Sequence, residues 1–338
     1  MDKKYNVVVV GIGAVGEEML KVLDQRSFPV KKLKVLARSA RDVQVDGKTY
    51  PVRATVPEEF EGAEIVFFAG TEGEKGASVT FASEAISRGA VAIDNGADFR
   101  MDPKVPLVIP EVNPKALAGH QGLIASPNCS TIQMLVALAP IYRASRIARI
   151  IAVTYQAVSG TGRAAIRELD RQSRNYLSRE KKFECEAYPY RIAFNLLPQI
   201  GGFEELDFTT EEWKMDRESK KILGDDGIKI STTCVRVPVF NAHSEAVYIE
   251  TEEEISVEKA RKLLRGAPGV ILLDDPAQKK YPMPIDADGR DEVFVGRIRK
   301  DPYVSNGLHL WVVSDNIRKG AALNVIQIAE KMIAEGML

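Results

Sequence analysis

Residues 5–10, Tyr-Asn-Val-Val-Val-Val, form an apolar strand-like run that enters Gly11-Ile12-Gly13-Ala14-Val15-Gly16 without a gap. A helical pattern follows, with Val15, Met19, Val22 and Leu23 on one side. Strand, glycine turn and helix start in that order constrain the fold more than any other feature. The spacing G-x-G-x-x-G makes the turn tight and aims a helix N-terminus at a pyrophosphate. The chain therefore opens as a dinucleotide-binding unit; a glycine turn that only packs strand on helix is the alternative.

The second strand, Leu33 to Ala37, ends in Arg38-Ser39-Ala40-Arg41, with no acid until Asp42. A unit that takes NAD usually ends this strand in Asp or Glu, which bonds the ribose hydroxyls. A guanidinium beside a hydroxyl suits a 2′-phosphate, so Arg38 and Ser39 point to NADP, against the alternative of solvated turn residues. Further strand-like runs lie at Glu64–Phe68, Ala90–Asp94, Val105–Ile109 and Leu123–Ala125, with a helical stretch from about Lys75 to Arg88. The alternation predicts an α/β unit, a mainly parallel doubly wound sheet of Rossmann type covered on both faces. Gly70-Thr71-Glu72-Gly73 follows a strand end, where such sheets bind ligands.

From Arg149 the texture changes. Ile150 to Ala157 reads as a strand, Ser159-Gly160-Thr161-Gly162 as a turn, and the segment to about Leu177 as a helix. Pro, aromatic and charged residues dominate to about Gly202. Thr209 to Leu223 reads as a helix capped by Thr209 or Thr210, with Glu212 at its start. Lys229–Val237, His243–Glu250 and Glu292–Arg299 alternate more strictly, which predicts a mixed or antiparallel sheet. A last helix, about Arg318 to Glu335, sets Ala322, Val325, Ile326, Ala329 and Met332 on one side, a stripe expected to dock on the nucleotide half. At 338 residues two domains are expected: a Rossmann domain over 1–128 completed by 316–338, and an α+β domain over 129–315.

Composition narrows the function classes. A formal net charge of -1 gives no basic excess for nucleic acid, and the longest apolar runs are too short to span a membrane. Met1-Asp2-Lys3-Lys4-Tyr5 lacks the pattern of a signal peptide, and three cysteines suit a reducing cytoplasm without a disulfide framework. No metal-ligand spacing stands out.

Of those cysteines, Cys129 has the most informative setting: Ser126-Pro127-Asn128-Cys129-Ser130-Thr131, before a helical pattern of Ile132, Leu135, Val136 and Ala139. A thiol at a helix N-terminus meets unpaired N–H groups and the positive end of the dipole, which favours thiolate. The alternative is an inert cysteine packed as a small hydrophobe.

Six segments together resemble aspartate-β-semialdehyde dehydrogenase over nearly the whole length. They are Asp98-Phe99-Arg100-Met101-Asp102, Pro127 to Gln133, Thr154 to Gly162, Glu211-Glu212-Trp213-Lys214, Arg236 to His243 and Ser314 to Ala322. One departure is visible. The family's glycine loop is usually one residue longer, of the type Gly-Ala-Thr-Gly-x-Val-Gly, so a hydroxyl often supplied there is missing.

The resemblance implies reversible NADPH-dependent reduction of L-aspartyl-4-phosphate to aspartate semialdehyde and inorganic phosphate, a step toward lysine, threonine and methionine. It implies Cys129 as the nucleophile that forms a thioester and His243 as acid/base, with Gln156 orienting substrate and Asn128 helping to stabilise an oxyanion. Arg100 and Lys214 are similar to the family's phosphate-binding pair, Arg236 to the clamp for the α-carboxylate, and Glu212 to the acceptor of the substrate ammonium. Gly11 to Gly16, Arg38, Ser39, Ser159, Gly160 and Asn316 are the expected cofactor contacts. Family members resemble homodimers or dimers of dimers, joined through the second half. Cys185, Cys234, His120 and His309 receive no role. The competing readings are another phosphorylating aldehyde dehydrogenase, such as N-acetyl-glutamyl-phosphate reductase, and a catalytically silent nucleotide-binding homologue.

Overall fold

The structure, a computed structural model, describes residues 3–72, 75–180 and 182–338; Met1, Asp2 and Gly73, named above, lie outside the described residues. It divides into two compact units, 1–127 with 321–338 and 128–320. The joints fall one residue earlier than expected at the first crossing and five later at the second.

The first unit runs β1 (Tyr5–Val10), α1 (Ala14–Gln25), β2 (Val30–Ala37), β3 (Arg41–Val45), β4 (Lys48–Ala54), β5 (Ile65–Phe68), the two-residue β6 (Thr71–Glu72) and β7 (Lys75–Gly76), α2 (Ala77–Ser87), β8 (Val91–Asp94) and β9 (Leu123–Ala125). Its seven-stranded sheet has the order β3-β4-β2-β1-β5-β8-β9, parallel except for the β3–β4 hairpin. Central β1 is covered on both faces, which is why its valines run unbroken.

Two features depart from the expectation. The β3–β4 hairpin was not foreseen, because exposed polar residues interrupt its alternation. Val105–Ile109 is not a strand: it forms a single bridge, Leu107 to Ala125. Pro106 cannot donate to a ladder, and Asn113 takes the place of a neighbouring strand by bonding Ile109 N–H and Leu107 C=O.

The second unit contains α3 (Cys129–Ala144), β10 (Ile147–Gln156), α4 (Arg163–Leu177), α5 (Thr210–Leu223), β11 (Lys229–Arg236), β12 (His243–Thr251), α6 (Val257–Arg265), β13 (Val270–Leu272), α7 (Pro284–Ala287), β14 (Val293–Lys300) and β15 (Gly307–Ser314). The sheet is mixed, in the order β11-β10-β12-β15-β14-β13; only β10–β11 and β13–β14 are parallel. Helix α3 packs on β10, β12, β14 and β15, and α5 on β11. Along β10, Ile150, Ala152, Thr154 and Gln156 are buried while Ile151 is exposed, so the period of two selects a core face.

After β15 a π-helical turn, Arg318–Ala322, leads into α8 (Leu323–Ala334), which belongs to the first unit. There Val325, Ile326, Ala329 and Met332 share a core with Met19, Val22 and Leu23 of α1. Among the described residues no helix is long and apolar enough to cross a membrane.

Candidate functional site

In the first unit the glycine turn explains itself sterically. Gly11 has φ +101°, and a Cβ there would meet Gly70 N at 2.3 Å; a Cβ on Gly16 would meet Gly11 O at 1.9 Å. One glycine makes the turn and the other lets α1 press on it. A Cβ on Gly13 would meet nothing within 4 Å. The main chain there borders open space, and no side chain caps α1. A cleft of about 410 Å³ lies at this point, lined by Gly11, Ile12, Gly13, Arg38, Arg41 and Thr55 among others.

Ala14, Val15 and Gly16 form the first turn of α1 behind that cleft. Arg41 donates from Nη1 to Ser39 O (3.1 Å) and Ser39 Oγ (3.3 Å), which ties down the segment after β2. The glycines, uncapped helix and guanidinium side chains fit the diphosphate and 2′-phosphate of a dinucleotide. Thr55, which carries no motif, was not foreseen. Arg100, also in this unit, is 8% exposed and donates from Nε to Gly96 O and from Nη2 to Asn95 O, each at 3.0 Å.

The second unit assembles its groups at one end of its sheet. Gln156 and Arg236 are register partners at the ends of β10 and β11, while His243, which begins β12, lies opposite Ser314 at the end of β15. Cys129 is the first residue of α3 and is partly exposed. Asn128 caps the helix, its Oδ1 accepting from Ser130 N–H (2.9 Å) and Thr131 N–H (3.4 Å). Its own N–H donates to Glu218 (2.6 Å), and Nδ2 donates to Glu211 Oε1 (2.8 Å). Asn128 therefore fixes the turn that presents the thiol, and its amide is largely engaged. Gly320, in the π-helical turn, packs against the main chain of Cys129: a Cβ there would lie 2.7 Å from Cys129 Cβ.

Glu211, not Glu212, belongs to this cluster. Its Oε1 also accepts from Gln156 Nε2 (3.2 Å), and its Oε2 pairs with Lys214 Nζ (3.2 Å). Burial alone would raise its carboxyl, but the Lys214 ammonium and the two amides prevail and hold it below the usual range. Glu212 is used otherwise. One oxygen accepts from Thr209 N–H (2.6 Å) in a capping box and the other from Cys234 N–H (2.9 Å). The sequence held this distinction, since Thr209-x-x-Glu212 is a capping box and Glu211 shares a helix face with Lys214.

Ala157 N–H donates to His243 Nδ1 at 3.0 Å, so the neutral imidazole carries its proton on Nε2. The ring is fully buried; that burial, with the Arg236 guanidinium beside it, pushes its pKa well below the ordinary value. Gln156 Nε2 lies 3.4 Å from His243 Nε2. Thr154 Oγ1 donates to Gln156 Oε1 (3.0 Å), which leaves the amide N–H groups for Glu211 and the site. Arg236 donates from Nη1 to Ala157 O (2.7 Å) and lines a pocket of about 380 Å³ with Thr161, Tyr188 and Tyr190.

Gly160 lies against Arg236 and His243, with room for no side chain: a Cβ would meet them at 3.0 and 3.3 Å. Ser159 and Asn316 bond each other (3.0 Å), and Asn316 Oδ1 accepts from Ala242 N–H (3.1 Å) at a left-handed residue. The pair thereby fixes the bend before His243. The remaining candidates have ordinary settings: Cys234 is buried with its thiol pushed up, Cys185 is exposed, His120 accepts from Gly122 N–H and His309 pairs with Asp301. No group of three metal-ligating side chains occurs among the described residues.

The chain matches known proteins along both units. Residues 6–120 fit the family model described as semialdehyde dehydrogenase, NAD binding domain, and residues 138–319 the one described as semialdehyde dehydrogenase, dimerisation domain. The aspartate-semialdehyde dehydrogenase of Aquifex aeolicus is 50% identical, the alignment covering 99% of each chain. That of Bacillus subtilis is 48% identical, covering 98% of each. Among solved structures, aspartate semialdehyde dehydrogenase II from Vibrio cholerae, complexed with ASA, superposes with a TM-score of 0.93 at 44% identity over 99% of both chains. Two matched domains, and about half the residues shared from end to end with enzymes of one name, establish that the chain belongs to the aspartate-semialdehyde dehydrogenase family.

Proposed function

We propose that the chain reduces L-aspartyl-4-phosphate to L-aspartate 4-semialdehyde and inorganic phosphate with NADPH, reversibly, through a thioester on Cys129. The observation that carries this reading is the Glu211 cluster. A buried carboxylate joined to Asn128 and Gln156 lies in the same unit as the Cys129 turn, and a guanidinium stands at the end of the next strand. An anionic acceptor for an ammonium and a cationic clamp for a carboxylate suit a free amino acid; an N-acetylated substrate has no ammonium to offer.

Cys129 Sγ attacks the acyl carbon as thiolate, and the C–O bond to phosphate breaks with its electron pair leaving on phosphate. Arg100 and Lys214 receive the phosphate. The thioester on Cys129 would be reduced by the hydride that a nicotinamide, when bound, supplies. Cys129 would then hold the oxyanion of a thiohemiacetal, whose electron pair re-forms the C=O as the C–S bond breaks, releasing the aldehyde and restoring the thiolate. Gln156 and the Nε2–H of His243 are donors for the carbonyl oxygen as charge develops on it. Arg236 holds the α-carboxylate and Glu211, in place of Glu212, the ammonium. Asn128, Ser159 and Asn316 keep these groups in position. Arg38, and Ser39 held by Arg41, receive the 2′-phosphate. The enzyme works in the cytoplasm as a homodimer.

The test compares aspartate semialdehyde with N-acetyl-glutamate semialdehyde, each with NADP and phosphate. Phosphate-dependent NADP reduction is expected with the first; faster turnover of the second would overturn the substrate assignment.

A further inference from the structure

Beneath the row that holds Gln156, Arg236 and His243 lies a second buried row that the proposed chemistry leaves unused. Glu245, two residues after His243 on β12, stands opposite Thr154 on β10 and Val312 on β15. Cys234 is the partner of Thr154 on β11. Glu245 is 0% exposed, and neither of its carboxyl oxygens has a hydrogen-bond partner among the described residues. Facing it from α3 is Gln133, one turn after Cys129, also 0% exposed and with both amide atoms likewise unpartnered.

These two groups are complementary in one protonation state. A carboxylic acid donates its O–H to an amide oxygen while its C=O accepts an amide N–H. A carboxylate has no hydrogen for that oxygen and would stand charged in a dry layer. The surroundings are poor in cations. Thr154 and Cys234, its neighbours in the sheet row, carry no charge, His243 two residues before it is neutral, and the Glu211 carboxylate on α5 lies beyond Cys234. Burial pushes the Glu245 carboxyl well above its ordinary range and outweighs the Gln133 amide, which acts the other way.

We propose that Glu245 is held as a carboxylic acid, pairs with the Gln133 amide, and is a positioning residue that locks the turn following Cys129 onto the strand carrying His243. Thiol and imidazole come from different elements, and this pair joins those elements one turn and one row behind the reacting groups. Its activity readout rests on the roles proposed for Cys129 and His243; its spectroscopic and unfolding readouts do not.

The full chain serves for the test. Infrared difference spectra of wild type against Glu245→Gln show a protonated-carboxyl C=O band that the variant lacks; a carboxylate band in its place overturns the proposal. In thermal unfolding, Glu245→Gln exceeds wild type in Tm by a margin that widens from about pH 6 to about pH 9. The unfolded carboxyl is ionised there and only wild type must retain a proton to fold, so its stability declines as pH rises. A margin that stays constant or narrows overturns the proposal. Gln133→Ala and Glu245→Ala lower kcat about tenfold with KM within about twofold, the pattern of misaligned reacting groups. Glu245→Gln restores kcat to within about threefold, because an amide pairs with an amide. Should Glu245→Gln fall as far as Glu245→Ala, the pairing is wrong. Failure of the Cys129 or His243 roles would leave the infrared band and the pH-dependent margin in place.

Discussion

In the first unit the cleft is bordered by a short contiguous stretch of main chain, Gly11 to Gly13 before α1, with the side chains of Arg38, Arg41 and Thr55 beside it. In the second unit the site is side chain, delivered by α3, β10, α5, β11 and β12, from Asn128 to His243. A backbone site needs little more than space and a helix end. A side-chain site needs every carboxylate and amide oriented by another, so its components are conditional on their neighbours. Damage to the first should appear as lost folding or cofactor affinity, and damage to the second as lost turnover.

The sharpest break between the two is Cys129→Ala. It should lower turnover about ten-thousandfold or more, while NADPH titration by fluorescence stays unchanged; residual activity would remove the nucleophile. Next comes the acidic pair. Glu211→Gln should lower kcat/KM about a hundredfold by removing a buried charge that others bond. Glu212→Gln should reduce stability by roughly 1 kcal/mol in denaturant unfolding with kcat/KM little changed. The opposite outcome would return the ammonium to Glu212.

On the main-chain side, Gly11→Ala should destabilise the protein by roughly 2 kcal/mol, read as a lower Tm, since φ +101° and Gly70 both oppose a side chain. Arg38→Ala should shift preference from NADPH toward NADH by about tenfold in KM ratio, the effect of one exposed charge-assisted contact. The smallest effect concerns His243, whose folded-state pKa is depressed by burial and by Arg236. The stability it contributes is present above the unfolded value of about 6.5 and lost as pH falls below it, so His243→Gln should lose less stability than wild type between about pH 6.5 and pH 5.

The first unit was legible because its signals are local: the valine run, the glycine spacing and the arginine after β2 each follow from neighbouring residues. Val105–Ile109 misled because apolar residues satisfied a strand pattern while pairing stops at one bridge to Ala125, Pro106 has no N–H to give, and Asn113 bonds the other edge. In the second unit Thr209 and Glu212 already spelled a capping box, yet choosing Glu211 over Glu212 needs to know that Asn128 and Gln156 arrive beside it. Those partners lie 83 and 55 positions away along the chain. Strands β13 and β15 and helix α6 were missed, although β15 is the strand that pairs with β12 and stands opposite His243.

Gly320 sets a boundary on engineering. What lies against the Cys129 Cα and Cβ there is peptide backbone within a π-helical turn, so any side chain at residue 320 would push on the main chain that carries the thiol. Redesign of the acyl pocket should therefore keep glycine at 320, because a larger residue there shifts the helix start that presents the nucleophile.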